Sequence, residues 1–249
     1  MADTGALAGK RVLVTGGGRG LGREMCVQFA AQGARVAFSY QRDAQAAGAT
    51  IAACGAVGAP ARAFCASVLD PVATEAMVKA LEAEWGGLDA LVNNAGITQN
   101  LPFALMDVED WDEVMDVNVK GTFLTTKAVL RGMIRQRAGV VLNIGSLAGE
   151  RGIDAPVHYC TSKAALRGFT ESLAKEMGRY GIRVVCLAPG LLEDGVGKKL
   201  PEHRLADYLK HCVLGRVGTF DEIARLAAFL LSDEASFVSG ATLLADGGL

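Results

Sequence analysis

The sequence predicts an α/β fold with a doubly wound, mostly parallel sheet and helices on both of its faces. Short runs of β-branched residues alternate with longer amphipathic segments along the chain, which is the pattern of repeated βαβ units. The chain has 31 glycines, and a glycine-rich turn directly follows the first apolar run. Its 249 residues suit one layered core, and no linker or internal repeat divides them. We therefore expect one domain over residues 1–249.

The predicted strands are the short apolar runs, because a strand in a parallel sheet is covered on both faces. In chain order they are Arg11–Thr15, Arg35–Ser39, Ala61–Cys65, Ala90–Asn93, Val140–Ile144, Arg183–Leu187 and Thr242–Ala245. The predicted helices lie between them, and three of these end near a glycine, the residue expected after a last helical turn. The three are Leu21–Gln32, Pro71–Trp85 and Tyr159–Arg179.

Two further segments complete the chain. Ala44–Pro60 is rich in alanine and glycine and is predicted to be a helix with an irregular end. Gly190–Val217 separates a strand from the next helix and carries many charged residues. A loop of that length in a compact domain is usually functional, so we expect a substrate lid there.

The composition favours a small-molecule ligand. The formal net charge is −2 and the basic residues are scattered, so we expect neither a nucleic-acid groove nor an anionic membrane surface. The first ten residues lack the apolar stretch of a signal peptide, and no apolar run approaches the about 20 residues that span a bilayer, so we expect a cytoplasmic protein. The six cysteines occur singly and without zinc-ligand spacing, which predicts reduced packing residues and no metal site.

A glycine loop connects the first strand with the first helix and reads TGGGRGLG over residues 15–22. A turn of this kind at the carboxyl edge of a parallel sheet directs backbone N–H groups and the positive end of the helix dipole at one point, which suits a pyrophosphate. The residues predicted to contact a dinucleotide there are Gly16, Gly18, Arg19, Gly20, Leu21 and Gly22. The spacing differs from the common G-x-G-x-x-G, and a merely flexible turn is the alternative.

The end of the second strand favours NADPH over NADH. Dinucleotide folds that prefer NAD place an acid there, whereas this chain has Ser39 and Tyr40, with Arg42 close behind. Arg19 and Arg42 could both bind a 2′-phosphate, because a guanidinium suits bidentate phosphate contacts. The alternative is that both arginines are solvated surface charges, with Asp43 neutralising its neighbour.

Tyr159 and Lys163 are the candidate catalytic pair. They are four residues apart at the start of a predicted helix and therefore share one face. A phenol has a pKa of about 10, and lowering it to about 7 takes about 4 kcal/mol, much of which a nearby ammonium can supply. We expect Lys163 to lower the pKa of Tyr159, which would act as a general acid. A surface helix pair is the alternative interpretation of Y-x-x-x-K alone.

Further polar residues are predicted at the carboxyl edge. The motif NNAG, residues 93–96, ends the fourth strand, Ser146 follows the fifth, and Asn118 lies in the helix between them. Ligands bind at that edge in a doubly wound sheet, so Ser146, Tyr159 and the glycine loop should face one crevice. A hydroxyl there can donate a hydrogen bond to a substrate carbonyl oxygen.

Several motifs together resemble those of the short-chain dehydrogenase/reductase family. In order, over essentially the whole chain, they are TGGGRGLG, NNAG, Asn118, Ser146, YCTSK and Ala188-Pro189-Gly190. The resemblance implies a Rossmann fold with a seven-stranded sheet and a tetrad in which Ser146 orients the carbonyl and Tyr159 gives the proton. It implies that Lys163 also holds the nicotinamide ribose and that Asn118 supports a relay water. Further implied cofactor contacts are Ser39, Tyr40, Ser67, Asn94, Ala95, Gly96, Tyr159, Lys163, Pro189 and Gly190.

Within that family the chain is most similar to β-ketoacyl-carrier-protein reductases of fatty-acid and polyketide synthesis. The similarity implies NADPH-dependent reduction of a 3-oxoacyl thioester to the 3-hydroxyacyl thioester, in a homotetramer packed through the long helices. The chain departs from the family pattern in two places. Ser67 lies after the third strand, where the family often has an acid, and the sequence of Leu191–Gly197 differs from the usual one. Carrier-protein reductases have basic residues that meet an acidic carrier protein. Arg137 matches one of these positions and Arg179 is adjacent to a second, so the similarity implies docking of a carrier protein there. An ordinary charged helix end is the alternative.

Two other functions remain open at this point. Oxidation of a sugar, a polyol or another secondary alcohol with NAD(P) would use the same tetrad, although use of NAD would favour an acid at Ser39 or Tyr40. A non-catalytic relative that binds NADPH is the second, and it would have no chemical need for all four tetrad residues.

Overall fold

The computed structural model describes residues 5–194 and 202–249, and a seven-stranded sheet forms its centre. The strands are β1 Arg11–Val14, β2 Arg35–Tyr40, β3 Arg62–Cys65, β4 Ala90–Asn93, β5 Gly139–Ile144, β6 Ile182–Pro189 and β7 Thr242–Ala245. Their order across the sheet is β3-β2-β1-β4-β5-β6-β7, and each neighbouring pair is parallel. The predicted doubly wound α/β class is therefore confirmed.

Helices cover the sheet on both faces. They are α1 Gly20–Ala31, α2 Ala44–Val57, α3 Pro71–Trp85, α4 Val108–Met115, α5 Gly121–Gln136, α6 Val157–Met177, α7 Glu202–His211 and α8 Phe220–Leu231. A single π-helical turn, Asp116–Lys120, joins α4 to α5, and 3₁₀ turns occur at Phe103–Leu105, Leu147–Gly149, Gly178–Tyr180 and Asp233–Ala235. Among the described helices, none is long and apolar enough to cross a membrane.

Glycines follow α1, α3 and the 3₁₀ turn that comes directly after α6, close to where the sequence predicts helix ends. Gly33, Gly86 and Gly181 have φ of 85°, 80° and 70°, in the left-handed region that a side chain disfavours. At the other end of α3, the Asp70 carboxylate accepts hydrogen bonds from two backbone N–H groups of the first turn. The predicted strand ends lie within two residues of the observed ones.

Two apolar clusters, one on each face of the sheet, form the core. Along β1, Val12 and Val14 belong to the first cluster and Leu13 to the second, as the two-residue period of a strand requires. The first cluster packs α1, α2 and α8 against the sheet, and the second packs α3, α5 and α6. Since both faces are covered, polar functional groups gather at the sheet edges, where the loops emerge.

The sequence-based prediction of a continuous loop over Gly190–Val217 is wrong in its second half, where α7 forms. Most residues of this helix are exposed, but Leu205, Tyr208 and Leu209 are half-buried. One narrow face of α7 therefore packs against the rest of the protein. That spacing of three and four residues is helical, but charged residues on the other sides obscure it in the sequence. Residues 195–201 of the predicted lid lie outside the described residues.

A half-buried ion pair joins β1 to the residue before β4 at the amino edge of the sheet. Arg11 donates to the Asp89 carboxylate through Nε (2.8 Å), Nη2 (2.6 Å) and its backbone N–H (2.8 Å). The guanidinium also donates to the Trp85 carbonyl of α3 and to the Gln136 side chain of α5. Burial acts to raise the pKa of Asp89, but the hydrogen bonds from Arg11 outweigh it, and the pKa lies below its ordinary value.

The substitution Asp89→Asn should lower the free energy of unfolding by about 2 kcal/mol at neutral pH, because charge-assisted hydrogen bonds are lost. The folded-state pKa of Asp89 is depressed, so its contribution is present above the unfolded pKa and is lost as the pH falls through the folded pKa. Urea unfolding at successively lower pH should show the difference between wild type and variant shrinking. A difference that does not change with pH would contradict a role for the ionised carboxylate.

Candidate functional site

The candidate site lies at the carboxyl edge, where β1 pairs with β4 and the strand order reverses. Ligands bind in the crevice that such a reversal creates. The Thr15 hydroxyl accepts hydrogen bonds from the backbone N–H of Asn94 and of Ala95, both at 3.0 Å. In return, Asn94 Nδ2 donates to the carbonyls of Thr15 and Gly16. The loop after β1 and the loop after β4 are thus joined along one floor.

The glycine loop forms a tight cradle above this floor. A Cβ on Gly17 would lie 2.4 Å from Phe38 Cβ, and one on Gly22 would lie 2.2 Å from the Gly16 carbonyl oxygen, so neither position admits a side chain. Gly16 and Gly20 have φ of 69° and 55°. No side chain among the described residues caps α1 at its N-cap residue, Arg19, and the first turn has no acid. The exposed N–H groups of this turn fit an anionic group such as a pyrophosphate.

Two residues that the sequence analysis missed hold the cradle in place. Arg23 donates from Nη2 to the carbonyls of Gly18 (2.9 Å) and Ala46 (3.1 Å), and from Nε to the Thr50 hydroxyl (3.0 Å). The fully buried Thr50 also lies 3.1 Å from the Gly18 carbonyl. The loop is therefore fixed to α2, which argues against a merely flexible turn. No signal in the sequence marks this pair, since its partners are backbone carbonyls.

The two arginines predicted at the phosphate site are exposed and lie on adjoining segments of the chain. A Cβ on Gly18 would lie 3.6 Å from Tyr40 Cβ, so the chain segment bearing Arg19 adjoins the segment bearing Arg42. Neither guanidinium has a hydrogen-bond or ion-pair partner within residues 5–194 and 202–249. The Asp43 carboxylate accepts a hydrogen bond from the Ala46 N–H at the start of α2. Both positive charges are thus available to an anion.

Four other predicted cofactor residues also lie at this edge. Ser39 is buried near the end of β2, and its carbonyl accepts a hydrogen bond from the Gly17 N–H. Ser67 follows β3, and its hydroxyl accepts one from the Leu69 N–H at 3.2 Å. Pro189 ends β6, so Gly190 begins the next loop at the same edge. The structure therefore brings the predicted cofactor residues to one side of the sheet.

Asn118 lies in the π-helical turn between α4 and α5, where the sequence predicts ordinary helix. Its Oδ1 accepts from the Ile97 N–H (2.8 Å), and its Nδ2 donates to the Ile97 carbonyl (3.0 Å) and the Ser162 hydroxyl (2.9 Å). The Ser162 hydroxyl in turn donates to the Tyr159 carbonyl. Asn118 thus joins the loop after β4 to the first turns of α6. Single π turns occur frequently at functional sites.

Lys163 lies beneath Tyr159 on α6. Its Nζ donates to the Ile144 carbonyl at the end of β5 (2.7 Å) and lies 5.8 Å from the centroid of the Tyr159 ring. Only 6% of Lys163 is exposed. A Cβ on Gly96 would lie 3.5 Å from this Nζ and 3.2 Å from Asn118 Oδ1, so Lys163 and Asn118 both adjoin the glycine of NNAG. The predicted juxtaposition of Tyr159 and Lys163 is present.

The sequence analysis predicts a lowered pKa for Tyr159, but in the structure its pKa is raised. Burial raises the pKa of Tyr159, the Ser146 hydroxyl opposes that shift, and the net pKa lies above the ordinary value. Burial also lowers the pKa of Lys163 to about 8. Removal from water therefore outweighs the attraction between ammonium and phenolate that the sequence analysis invoked. Tyr159 keeps its proton at neutral pH, which is the form a general acid needs.

Ser146 caps a 3₁₀ turn beside this pair. Its Oγ accepts a hydrogen bond from the Ala148 N–H (3.2 Å). The turn presses closely on α6, because a Cβ on Gly149 would lie 2.5 Å from the carbonyl carbon of Lys163. The side chains of Ser146 and Tyr159 are hydrogen-bonded to one another, just beyond the carboxyl end of β5. Two hydroxyl donors and a cation can bind a carbonyl oxygen and deliver a proton to it.

Arg137 and Arg179 lie at the opposite, amino edge of the sheet. Arg137 follows α5 with φ of 54°, and its Nη2 donates to the Arg179 carbonyl at 3.0 Å. Both residues are exposed. The six-residue strand β5 separates this pair from Ser146, which at about 3.3 Å per residue places it about 20 Å or more from the site of the same chain.

The described residues contain no cluster of three or more potential metal ligands. All six cysteines are free thiols, and Cys26, Cys54, Cys186 and Cys212 are buried.

Comparisons with known proteins agree with this geometry. Residues 16–249 match the family model described as Enoyl-(Acyl carrier protein) reductase. The 3-oxoacyl-[acyl-carrier-protein] reductase FabG of Escherichia coli (strain K12) is 37% identical over 243 residues, which cover 97% of each protein. The reductase of the same name from Staphylococcus aureus (strain Mu50) is 36% identical over 240 residues, covering 96% of this chain and 98% of the relative.

Solved structures give the same result. A short chain dehydrogenase from Burkholderia cenocepacia J2315, in complex with NADP, superimposes with a TM-score of 0.90 at 35% identity over 98% of both chains. A short-chain type dehydrogenase/reductase from Mycobacterium marinum has a TM-score of 0.88 at 31% identity, covering 97% of this chain and 95% of its own. The resemblance drawn from the motifs is confirmed, and the chain belongs to the short-chain dehydrogenase/reductase family.

Proposed function

We propose that the chain reduces a 3-oxoacyl thioester, carried on an acyl-carrier protein, to the 3-hydroxyacyl thioester. It is an NADPH-dependent oxidoreductase. The observation that carries the proposal is the convergence of the Ser146 and Tyr159 hydroxyls with the buried Lys163 ammonium, at the edge where α1 has an uncapped N-terminus. The similarity of the whole chain to 3-oxoacyl reductases supports this substrate class.

Ser146 and Tyr159 would bind the ketone oxygen of the substrate. Tyr159 is protonated at neutral pH because its pKa is raised, so it can transfer its proton to the oxygen as negative charge develops there. The O–H bond of the phenol breaks, and the resulting phenolate is stabilised by the Lys163 ammonium. When bound, the reduced nicotinamide supplies the hydride that the carbonyl carbon receives.

Lys163 and Asn118 would prepare the site for the next turnover. A pKa of about 8 keeps Lys163 mostly charged at neutral pH, yet lets it pass a proton to the phenolate at small cost. The side-chain amide of Asn118 is engaged with Ile97 and Ser162. Its support for a relay water would therefore be indirect, through the position of Ser162 and of the loop after β4.

The residues of the carboxyl edge would hold the cofactor along the switch point. The glycine loop, residues 16–22, would bind the pyrophosphate at the N-terminus of α1. Arg19 and Arg42 would bind the 2′-phosphate, with Ser39, Tyr40 and Ser67 along the adenosine. On the other side, Lys163 would hold the nicotinamide ribose. The nicotinamide half would meet residues 94–96 and the Pro189–Gly190 loop.

The assembly and partner follow from the same family likeness. We propose a cytoplasmic homotetramer packed through α5 and α6, whose outer faces expose Phe123 (47%) and Val157 (44%). Arg137 and Arg179 would bind the acidic carrier protein. Because they lie far from Ser146 of their own chain, docking there would serve a site of a neighbouring subunit. Gly190–Val217, with α7, would form the lid or wall of the substrate cleft.

Initial rates with NADPH test the substrate assignment. An acetoacetyl thioester should turn over, faster on carrier protein than on a small thiol, and faster with NADPH than with NADH. The panel also includes a crotonyl thioester, sugars, polyols and cyclic ketones. Reduction of crotonyl thioester alone would assign the chain to enoyl reduction, and activity only on a sugar or secondary alcohol would move the substrate elsewhere. No turnover of any member, with NADPH bound, would favour the non-catalytic alternative.

The variant Tyr159→Phe should reduce the acetoacetyl thioester about 10²- to 10⁴-fold more slowly, because it removes the proton donor and leaves the ring. Its dissociation constant for NADPH should stay close to that of the wild type. Stopped-flow oxidation of NADPH gives the rate, and fluorescence titration gives the affinity. A variant that keeps most of the rate would remove Tyr159 from the mechanism.

The double variant Arg19→Ala, Arg42→Ala should weaken NADPH binding by about 10- to 100-fold, the size of lost hydrogen bonds to a charged group. NADH binding should change little, since NADH has no 2′-phosphate. Arg35→Ala is the matched control, because Arg35 is also exposed but begins β2 at the amino edge. Equal losses for NADPH and NADH would refute the phosphate assignment.

A further inference from the structure

A single phenol connects α7 to the loop after β6. The Tyr208 hydroxyl accepts a hydrogen bond from the Leu191 N–H at 2.9 Å. Its own proton points to the Asp246 carbonyl, 3.4 Å away, in the segment that follows β7. Burial raises the pKa of Tyr208, so the hydroxyl keeps that proton over the neutral range. One oxygen atom thus joins three parts of the chain that are distant in sequence.

Gly190 and Leu191 pack tightly against the hydroxyl oxygen of Tyr208. A Cβ on Gly190 would lie 2.6 Å from Tyr208 Oη and 2.8 Å from Asp246 Cα, so only glycine fits. The Gly190 N–H donates to the Ala245 carbonyl at 2.9 Å. The path of the backbone where it leaves β6 is therefore set by the side chain of Tyr208 on one side and by the end of β7 on the other.

This peptide leaves the sheet beside the catalytic residues. The Gly145 N–H, one residue before Ser146, donates to the Leu187 carbonyl of β6 at 2.8 Å. Pro189 and Gly190 continue that strand outward, to the position assigned above to the nicotinamide half of the cofactor. Beyond them, the Leu191 carbonyl accepts from the Gly218 N–H, which fixes the far side of the loop. Tyr208 supplies the other contact of this residue, by accepting the hydrogen bond from the Leu191 N–H.

We propose that Tyr208 is a positioning residue for the nicotinamide half of the cofactor, acting through the Leu191 N–H. The inference rests on the proposed function, specifically on the contact between the Pro189–Gly190 loop and the nicotinamide. With the hydroxyl present, the loop is preorganised and binding does not have to order it. Without the hydroxyl, the Leu191 N–H loses its partner, and the loop must be ordered when the cofactor binds.

The test compares Tyr208→Phe with Tyr180→Phe, which removes the same oxygen from a half-buried tyrosine at the amino edge. Two ligands are titrated without any carbonyl substrate: NADPH, and adenosine 2′,5′-bisphosphate, which lacks the nicotinamide half. Tyr208→Phe should weaken NADPH about 3- to 10-fold, the effect of one neutral hydrogen bond, and should leave the bisphosphate unchanged. Tyr180→Phe should change neither affinity.

Thermal unfolding of the ligand-free proteins separates positioning from general stability, and both variants should unfold close to the wild-type temperature. Unchanged NADPH affinity in Tyr208→Phe would overturn the inference, and so would equal losses for NADPH and the bisphosphate. Because no thioester is present, failure of the wild type to reduce a thioester would refute the proposed substrate and leave this inference standing. A wild type that binds the bisphosphate as tightly as NADPH would instead refute the nicotinamide contact.

Discussion

Strands β1 and β4 pair in parallel at the middle of the sheet, with Val12 beside Ala90, and the position of each loop in the candidate site depends on this pairing. Because β1 pairs with β2 on its other side, α1 and α5 follow on opposite faces, and a crevice opens between their connections. Thr15 closes the floor of that crevice by accepting hydrogen bonds from the loop after β4. The Arg11–Asp89 ion pair holds the same two strands at the amino edge, so the pairing is fixed at both ends.

The second constraint is the removal of Tyr159 and Lys163 from water. Burial shifts the pKa of both groups toward their neutral forms, upward for the phenol and down to about 8 for the amine. Neither charge is favoured alone, but a phenolate and an ammonium formed side by side attract each other more strongly in this dry site than they would in water. In the proposed reaction, transfer of the Tyr159 proton to the substrate would therefore create the negative charge that the Lys163 ammonium stabilises. A protonated phenol beside an ammonium is therefore a better proton donor than the pKa shift of either group alone would indicate.

Sequence reasoning reached the parts of the molecule that local signals encode. Apolar runs and glycine stops marked the strands and three of the helices, and motif order brought Ser146, Tyr159 and Lys163 to one edge. Features that depend on contacts between distant parts of the chain were not predicted. The π turn at Asn118 arises from hydrogen bonds to Ile97 and Ser162, α7 packs through one narrow side, and Arg23 holds backbone carbonyls that leave no trace in a motif. The direction of the Tyr159 shift depends on burial depth, which spacing along a helix does not give.

The network around Arg11 and Asp89 lies at the edge of the sheet opposite to the catalytic groups, and within the described ranges the two share no side chain. Free-energy effects at well-separated positions add nearly independently. Substitutions that strengthen the amino edge can therefore compensate for destabilising changes in the loops of the carboxyl edge. This separation lets a scaffold of this kind accept new substrate-binding loops during evolution, or in the laboratory, while the fold itself persists.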